Sequence, residues 1–215
     1  MVHVHPRNER GLESLLAADI VAAVRAIRAE APGVPVSVST RAGIEPDVRR
    51  RLALIAEWPA ADNGGPDCAS VNWHEDGAVE VARLLRARGI GVEAGLWTPR
   101  AATTFVATNW PWQVDRVLVE AVPGVSPGAD GIWSAERVLA ALGMIPAPVV
   151  VHGERRWAWP VLRWAQGSGF SVRIGLEDTL VLPSGREARD NAELVAAARQ
   201  HEPGTPSGWP VPHPL

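Results

Sequence analysis

Seven times along this chain a short run rich in Val, Ile and small residues is followed by a longer stretch with apolar residues at helical spacing. That alternation constrains the fold more than any other feature. The runs at 2–6, 34–39, 68–72, 91–96, 116–122, 148–152 and 172–176 predict strands. The stretches at 12–30, 46–58, 78–88, 134–142, 157–168 and 189–201 predict helices, with a weakly patterned one at 103–110 in the remaining place. In 12–30, for example, Leu15, Leu16, Ile20, Ala23, Val24 and Ile27 form one apolar stripe.

Strands that are apolar throughout, separated by amphipathic helices, predict a parallel sheet buried on both faces. A barrel of eight β/α units takes about 250 residues. The chain has 215 and seven such units. The expectation is therefore a TIM-type (β/α)8 barrel lacking its first strand and helix. An open doubly wound sheet is the other arrangement, but no GxGxxG turn follows any of the strands. Residues 1–202 are expected to form this single domain, and 203–215, with five prolines, an extended C-terminal tail.

Composition removes several classes of chemistry. All 21 basic residues are arginine, so Schiff-base enzymes, pyridoxal phosphate enzymes and GxxxxGK[ST] phosphate loops, which need a lysine amine, are excluded. There is no tyrosine, so acid-base work falls to His, Asp, Glu, Cys or water. A net charge of −3 without a basic run is not the footprint of a nucleic-acid binder. No stretch reaches the roughly 20 apolar residues that span a bilayer, and no secretory signal opens the chain. With Cys68 its only cysteine, the chain is expected to be cytoplasmic, with neither nucleic acid nor membrane as partner.

In such a barrel the chemistry collects where strands end. The residues there are His3 and His5, Ser37, Ser39 and Thr40, Ser70 and Asn72, Glu93, Glu120, His152 and Glu154, then Arg173, Glu177 and Asp178. His3 and His5 are two apart on one strand, so their side chains leave the same face and both imidazoles can reach one metal ion. Two histidines and a carboxylate make a partly open Zn2+ site, and Glu177 is the natural third ligand. A His-x-His alone is a weak signal, equally compatible with two rim histidines and no metal.

The run Arg173-Ile174-Gly175-Leu176-Glu177-Asp178-Thr179-Leu180 is followed by Leu182-Pro183-Ser184-Gly185-Arg186 and Asn191-Ala192-Glu193-Leu194-Val195. Together with Val2-His3-Val4-His5-Pro6-Arg7 and His152-Gly153-Glu154, in this order, the chain strongly resembles the β-keto acid cleavage enzymes over nearly its whole length. The resemblance implies a zinc-dependent (β/α)8 barrel that condenses a β-keto acid with acetyl-CoA to give acetoacetate and a new acyl-CoA. It implies His3, His5 and Glu177 as zinc ligands, with Arg173 and Asp178 beside the metal. Ser39 and Ser70, with Thr40 and Asn72, fall where substrate is bound, and Glu93 where the family has a further active-site glutamate. Relatives place a strand and helix before the His-x-His; either Met1 is not the natural start, or a homo-oligomer, dimer or tetramer, covers the gap.

Each of these roles has a plainer competitor. Arg173 and Asp178 also suit an ordinary rim ion pair, and Ser39 a bond to a loop amide. Strict alternation puts Arg173 on the opposite face from Asp178 unless the chain bends near Gly175. Glu120 competes with Glu93 for its place. His152 and Glu154 are expected to touch substrate or hold their loop, and Cys68 to belong to the core. Of ten tryptophans, Trp157 and Trp164 are expected on one helix face packed against the barrel, and Trp97, Trp110 and Trp112 near the pocket. Two other functions stand beside the main one: a metal-dependent hydrolase like the amidohydrolases, and a truncated, non-catalytic barrel.

Overall fold

A computed structural model describes residues 1–200. The proline-rich segment expected as a tail lies outside the described residues. The chain divides into two compact units, one of Met1–Gly95 with Gln113–Asp115, the other of Leu96–Trp112 with the described chain from Arg116 on.

In the first unit β1 (Val2–Val4), β2 (Val36–Ser39), β3 (Cys68–Asn72) and β4 (Gly91–Leu96, all but its last residue) alternate with α1 (Ala17–Glu30), α2 (Val48–Ala56) and α3 (Ala78–Ala87). The strands pair in parallel and in chain order, with His3 beside Ser37, Ser39 beside Ser70 and Ser70 beside Glu93. Alternation then sorts the side chains. Val36, Val38, Ala69, Val71, Val92 and Ala94 leave one face and are buried, as are Ile20, Val24, Ile55, Val81 and Leu85 on the helices. α1 packs on β2 and α3 on β3. His3, His5, Ser37, Ser39, Ser70, Asn72 and Glu93 belong to the other face.

In the second unit α4 (Pro99–Ala107), β5 (Arg116–Ala121), α5 (Gly131–Leu142), β6 (Val149–Gly153), α6 (Ala158–Gly167), β7 (Ser171–Val172) and α7 (Asn191–Arg199) follow. β5, β6 and β7 are parallel neighbours in chain order, with Glu120 beside His152. A small core of Trp159, Leu162, Leu182, Ala188, Leu194 and Ala198 ties α6 and α7 to the segment between them. Seven parallel strands alternating with helices are the repeating unit expected of a barrel-type α/β fold.

Several expected boundaries move, among them β1, which ends at Val4, and α1, which begins at Ala17; three other shifts have a plain local reason. The weakly patterned stretch is a helix that begins at Pro99, because Thr98 caps it by accepting from Ala101 N at 3.1 Å and proline suits the first helical position. α5 starts at Gly131, three residues early, where Asp130 caps by accepting from Ile132 N at 3.0 Å. β7 ends at Val172 instead of running to 176, since the chain turns at Gly175, whose carbonyl accepts from Asp178 N at 2.9 Å and Thr179 N at 3.0 Å.

The tryptophans depart from expectation as well. Trp157 ends a short 3-10 turn, Arg155–Trp157, and so stands just before α6 while Trp164 lies within it. Trp110 is buried, whereas Trp112 is 74% exposed. Cys68 is buried in the core as expected.

Candidate functional site

The first unit holds its polar residues along one face of β1, β2 and β4. His3 and His5 are partly buried, their ring centroids 5.3 Å apart and the rings nearly perpendicular. His3 Nδ1 is 3.1 Å from Ser37 Oγ, and the Ser37 hydroxyl donates to Glu93 Oε2, itself 3.9 Å from the ring nitrogen. Ser37 and Glu93 are both buried. A proton on His3 Nδ1 completes this chain of donors and leaves a lone pair on Nε2.

His5 is placed in a parallel way. Its Nδ1 lies 3.3 Å from Glu13 Oε2, and Arg41 grips the same oxygen through Nε at 2.9 Å and Nη2 at 2.7 Å. Burial pushes the Glu13 carboxyl up, but the hydrogen bonds and charges of Arg41 and His5 outweigh it and hold the group below the usual carboxylate range. Each histidine thus has an acidic group behind Nδ1, directly or through a serine. For His3 this is the outer support that fixes the tautomer of a metal-ligating imidazole, for His5 it is a charge contact beside the ring, and the donor chemistry of the pair fits a Zn2+ ion.

The small polar residues beside them are mostly engaged with the protein. Thr40 Oγ1 donates to Ser70 O at 2.7 Å, Ser39 Oγ accepts from Arg41 N at 3.3 Å, and Asn72 Nδ2 donates to Glu75 Oε1 at 3.0 Å. Glu75 in turn accepts from Ala42 N at 2.8 Å, so these residues knit the loops after β2 and β3.

The second unit gathers Glu120, His152, Arg173, Glu177 and Asp178. His152 and Asp178 are each only 1% exposed. His152 Nδ1 lies 3.0 Å from Asp178 Oδ1, and its Nε2 3.5 Å from Glu120 Oε2. The turn at Gly175 answers the question left by strand alternation, because it brings Arg173 Nη2 to 3.7 Å from Asp178 Oδ1 while the guanidinium also donates to Glu177 Oε2. The Asp178 Oδ2 atom is buried and has no hydrogen-bond partner among the described residues.

This cluster carries more acid than base. Burial pushes the Glu120 carboxyl up, against the pull of His152 and Arg173. Burial and Arg173 oppose a charge on His152, yet Asp178 and Glu120 outweigh them and raise the imidazole. His152 Nε2 and Glu120 Oε2 face each other at 3.5 Å, and Nε2 is buried without a hydrogen-bond partner among the described residues. Glu154 is raised too, by burial first and by the nearby carboxylates second.

Four participants were not assigned these roles from sequence. Ser37, Glu120 and His152 stand at predicted strand ends, and the parallel register that pairs Glu120 with His152 is the signal that would have joined them. Glu13 lies in the loop after β1 and carries no motif. Glu93 lies beside His3 and Glu120 beside His152.

Among the described residues no helix is long and apolar enough to cross a membrane. The family model described as beta-keto acid cleavage enzyme matches residues 1–202, and the chain belongs to that family.

Proposed function

We propose that the protein is a zinc-dependent acyltransferase that exchanges acyl groups between a β-keto acid and acetyl-CoA, giving acetoacetate and a new acyl-CoA. His3, His5 and Glu177 would hold the Zn2+. The observation that carries this reading is the pair of imidazoles on β1 and just after it, each with an acidic group behind Nδ1. Family membership supports the substrate class.

A zinc ion there would supply Lewis acidity for the keto oxygen of the substrate. The chain's own residues do the rest. Arg173 pairs with the substrate carboxylate, as a planar guanidinium does well. Asp178, through Oδ2, takes the proton from the carbon between the keto and carboxylate groups. That carbon then forms a bond to the acetyl carbonyl as the thioester C–S bond breaks. The released CoA thiolate attacks the original keto carbon, the C–C bond to the acetoacetate unit breaks, and Asp178 returns its proton to the acetoacetate carbon. Ser39, Thr40, Ser70, Asn72 and Glu93 would line and order the substrate, and the protein would work as a homo-oligomer in the cytoplasm.

The test is a panel of β-keto acids with acetyl-CoA, with zinc measured in the same preparation. Acetoacetate formed only when CoA thioester and zinc are both present is the expected result. Turnover of amide or ester substrates without CoA would instead identify a hydrolase, and a protein with neither zinc nor turnover a non-catalytic barrel.

A further inference from the structure

Asp178 is fixed by its backbone before its side chain is considered. Its N–H donates to Gly175 O at 2.9 Å, and its carbonyl accepts from Arg155 N at 2.5 Å. Arg155 adopts φ 54°, a left-handed conformation that side chains other than glycine's rarely take. What the backbone leaves undetermined is the last torsion of the side chain. A carboxylate is two-fold about that bond, and the torsion well is broad.

Three features bear on it. His152 Nδ1 meets only one oxygen, Oδ1, at 3.0 Å. Arg173 approaches the same oxygen, at 3.7 Å. Oδ2 is buried without a hydrogen-bond partner among the described residues, a costly state for a carboxylate oxygen unless a ligand completes it. His152 is itself seated firmly, on a strand, in register with Glu120 and with its second nitrogen 3.5 Å from Glu120 Oε2.

We propose that His152 is a positioning residue for the cleavage reaction: its imidazole clamps Asp178 Oδ1 and thereby selects Oδ2 as the oxygen that meets the substrate proton. This rests on the function proposed above. Without the clamp the carboxylate is free to turn and share both oxygens with Arg173, which misaligns it.

The variants His152→Asn and His152→Gln separate this role from simple packing. An asparagine amide nitrogen reaches the place of Nδ1, whereas a glutamine amide reaches that of Nε2. In zinc-loaded protein, His152→Ala and His152→Gln are expected to lower kcat on the order of 10- to 100-fold, with KM for the β-keto acid changed less than about threefold. His152→Asn should recover most of the loss. Equal kcat for the Asn and Gln variants, or full activity in His152→Ala, would overturn the proposal.

A second measurement needs no turnover. In 15N-labelled protein, the ring signals missing from His152→Asn belong to His152 and should show the proton on Nδ1. Asp178→Asn should shift that Nδ1 signal, and an unshifted one would sink the clamp. If the wild type shows no CoA-dependent cleavage, the proposed reaction fails while the ring signals still decide whether the clamp exists.

Discussion

His3 Nδ1 and Ser37 Oγ lie 3.1 Å apart, and the serine hydroxyl passes on to the buried carboxylate of Glu93. The serine converts a 3.9 Å gap between imidazole and carboxylate into two hydrogen bonds. Ser37→Ala should therefore weaken Zn2+ binding by roughly 10- to 100-fold, the usual effect of losing an outer support of a ligand histidine. It should also cost about 1–3 kcal/mol of stability, because Glu93 stays buried with one donor fewer. Competition with a chromogenic chelator measures the first and denaturant unfolding the second. Unchanged zinc affinity would show that His3 does not depend on this chain of donors.

Glu193 shows how charge supports α7 from its first turn. The carboxylate accepts from Arg189 N at 2.8 Å and from Arg186 Nη2 at 2.5 Å, which holds it down to about 2. A carboxylate lowered on folding stabilises the protein above its unfolded value of 4.5, and that contribution is lost as pH falls towards 2. The melting temperatures of wild type and Glu193→Gln should differ at pH 6 and converge as acid is added through that window. Added salt should shrink the difference at pH 6, since the group is solvent-exposed. A gap that is constant across the window would place its origin elsewhere.

The parts of the fold that were legible are those set by local pattern. Cys68–Asn72 and Gly91–Leu96 end where their sequences suggest, and every residue from 68 to 72 and from 92 to 96 is buried. β7 misleads because Ile174 and Leu176 continue the look of a strand, while Gly175 and Asp178 make a turn through backbone bonds that no apolar period encodes. The site divides in the same way. His3 and His5 are readable two residues apart, and the run from Arg173 to Asp178 as a motif. Ser37 and Glu93 stand 56 positions apart and meet through the order of the parallel strands, whereas His152 and Asp178, 26 apart, meet because the chain turns at Gly175.

Thr98 is the residue that turns an unconvincing pattern into α4. Its hydroxyl accepts from Ala101 N, and Pro99 cannot donate in any case. Thr98→Ala should cost about 1 kcal/mol and lower Tm by roughly 2–4 °C, whereas Thr98→Ser should be nearly neutral. Calorimetry on the two variants checks this. Equal loss in both would mean that the threonine methyl group, and not the cap, is what matters.

Arg173 serves two carboxylates from one nitrogen, donating to Glu177 Oε2 and standing 3.7 Å from Asp178 Oδ1. A lysine keeps the charge but replaces a rigid fork with one mobile ammonium, so it cannot hold two acceptors and a substrate carboxylate in a plane. Arg173→Lys is thus expected to raise KM for the β-keto acid and to lower kcat as well, with kcat/KM reduced on the order of 100-fold. Glu120 should respond too, since the Arg173 charge is one of the groups that oppose its upward shift. The ammonium, placed less firmly, should leave the Glu120 carboxyl higher than in the wild type, which carbonyl-region infrared difference spectra against Glu120→Gln would register. A variant with normal kcat/KM would restrict Arg173 to an ordinary rim ion pair.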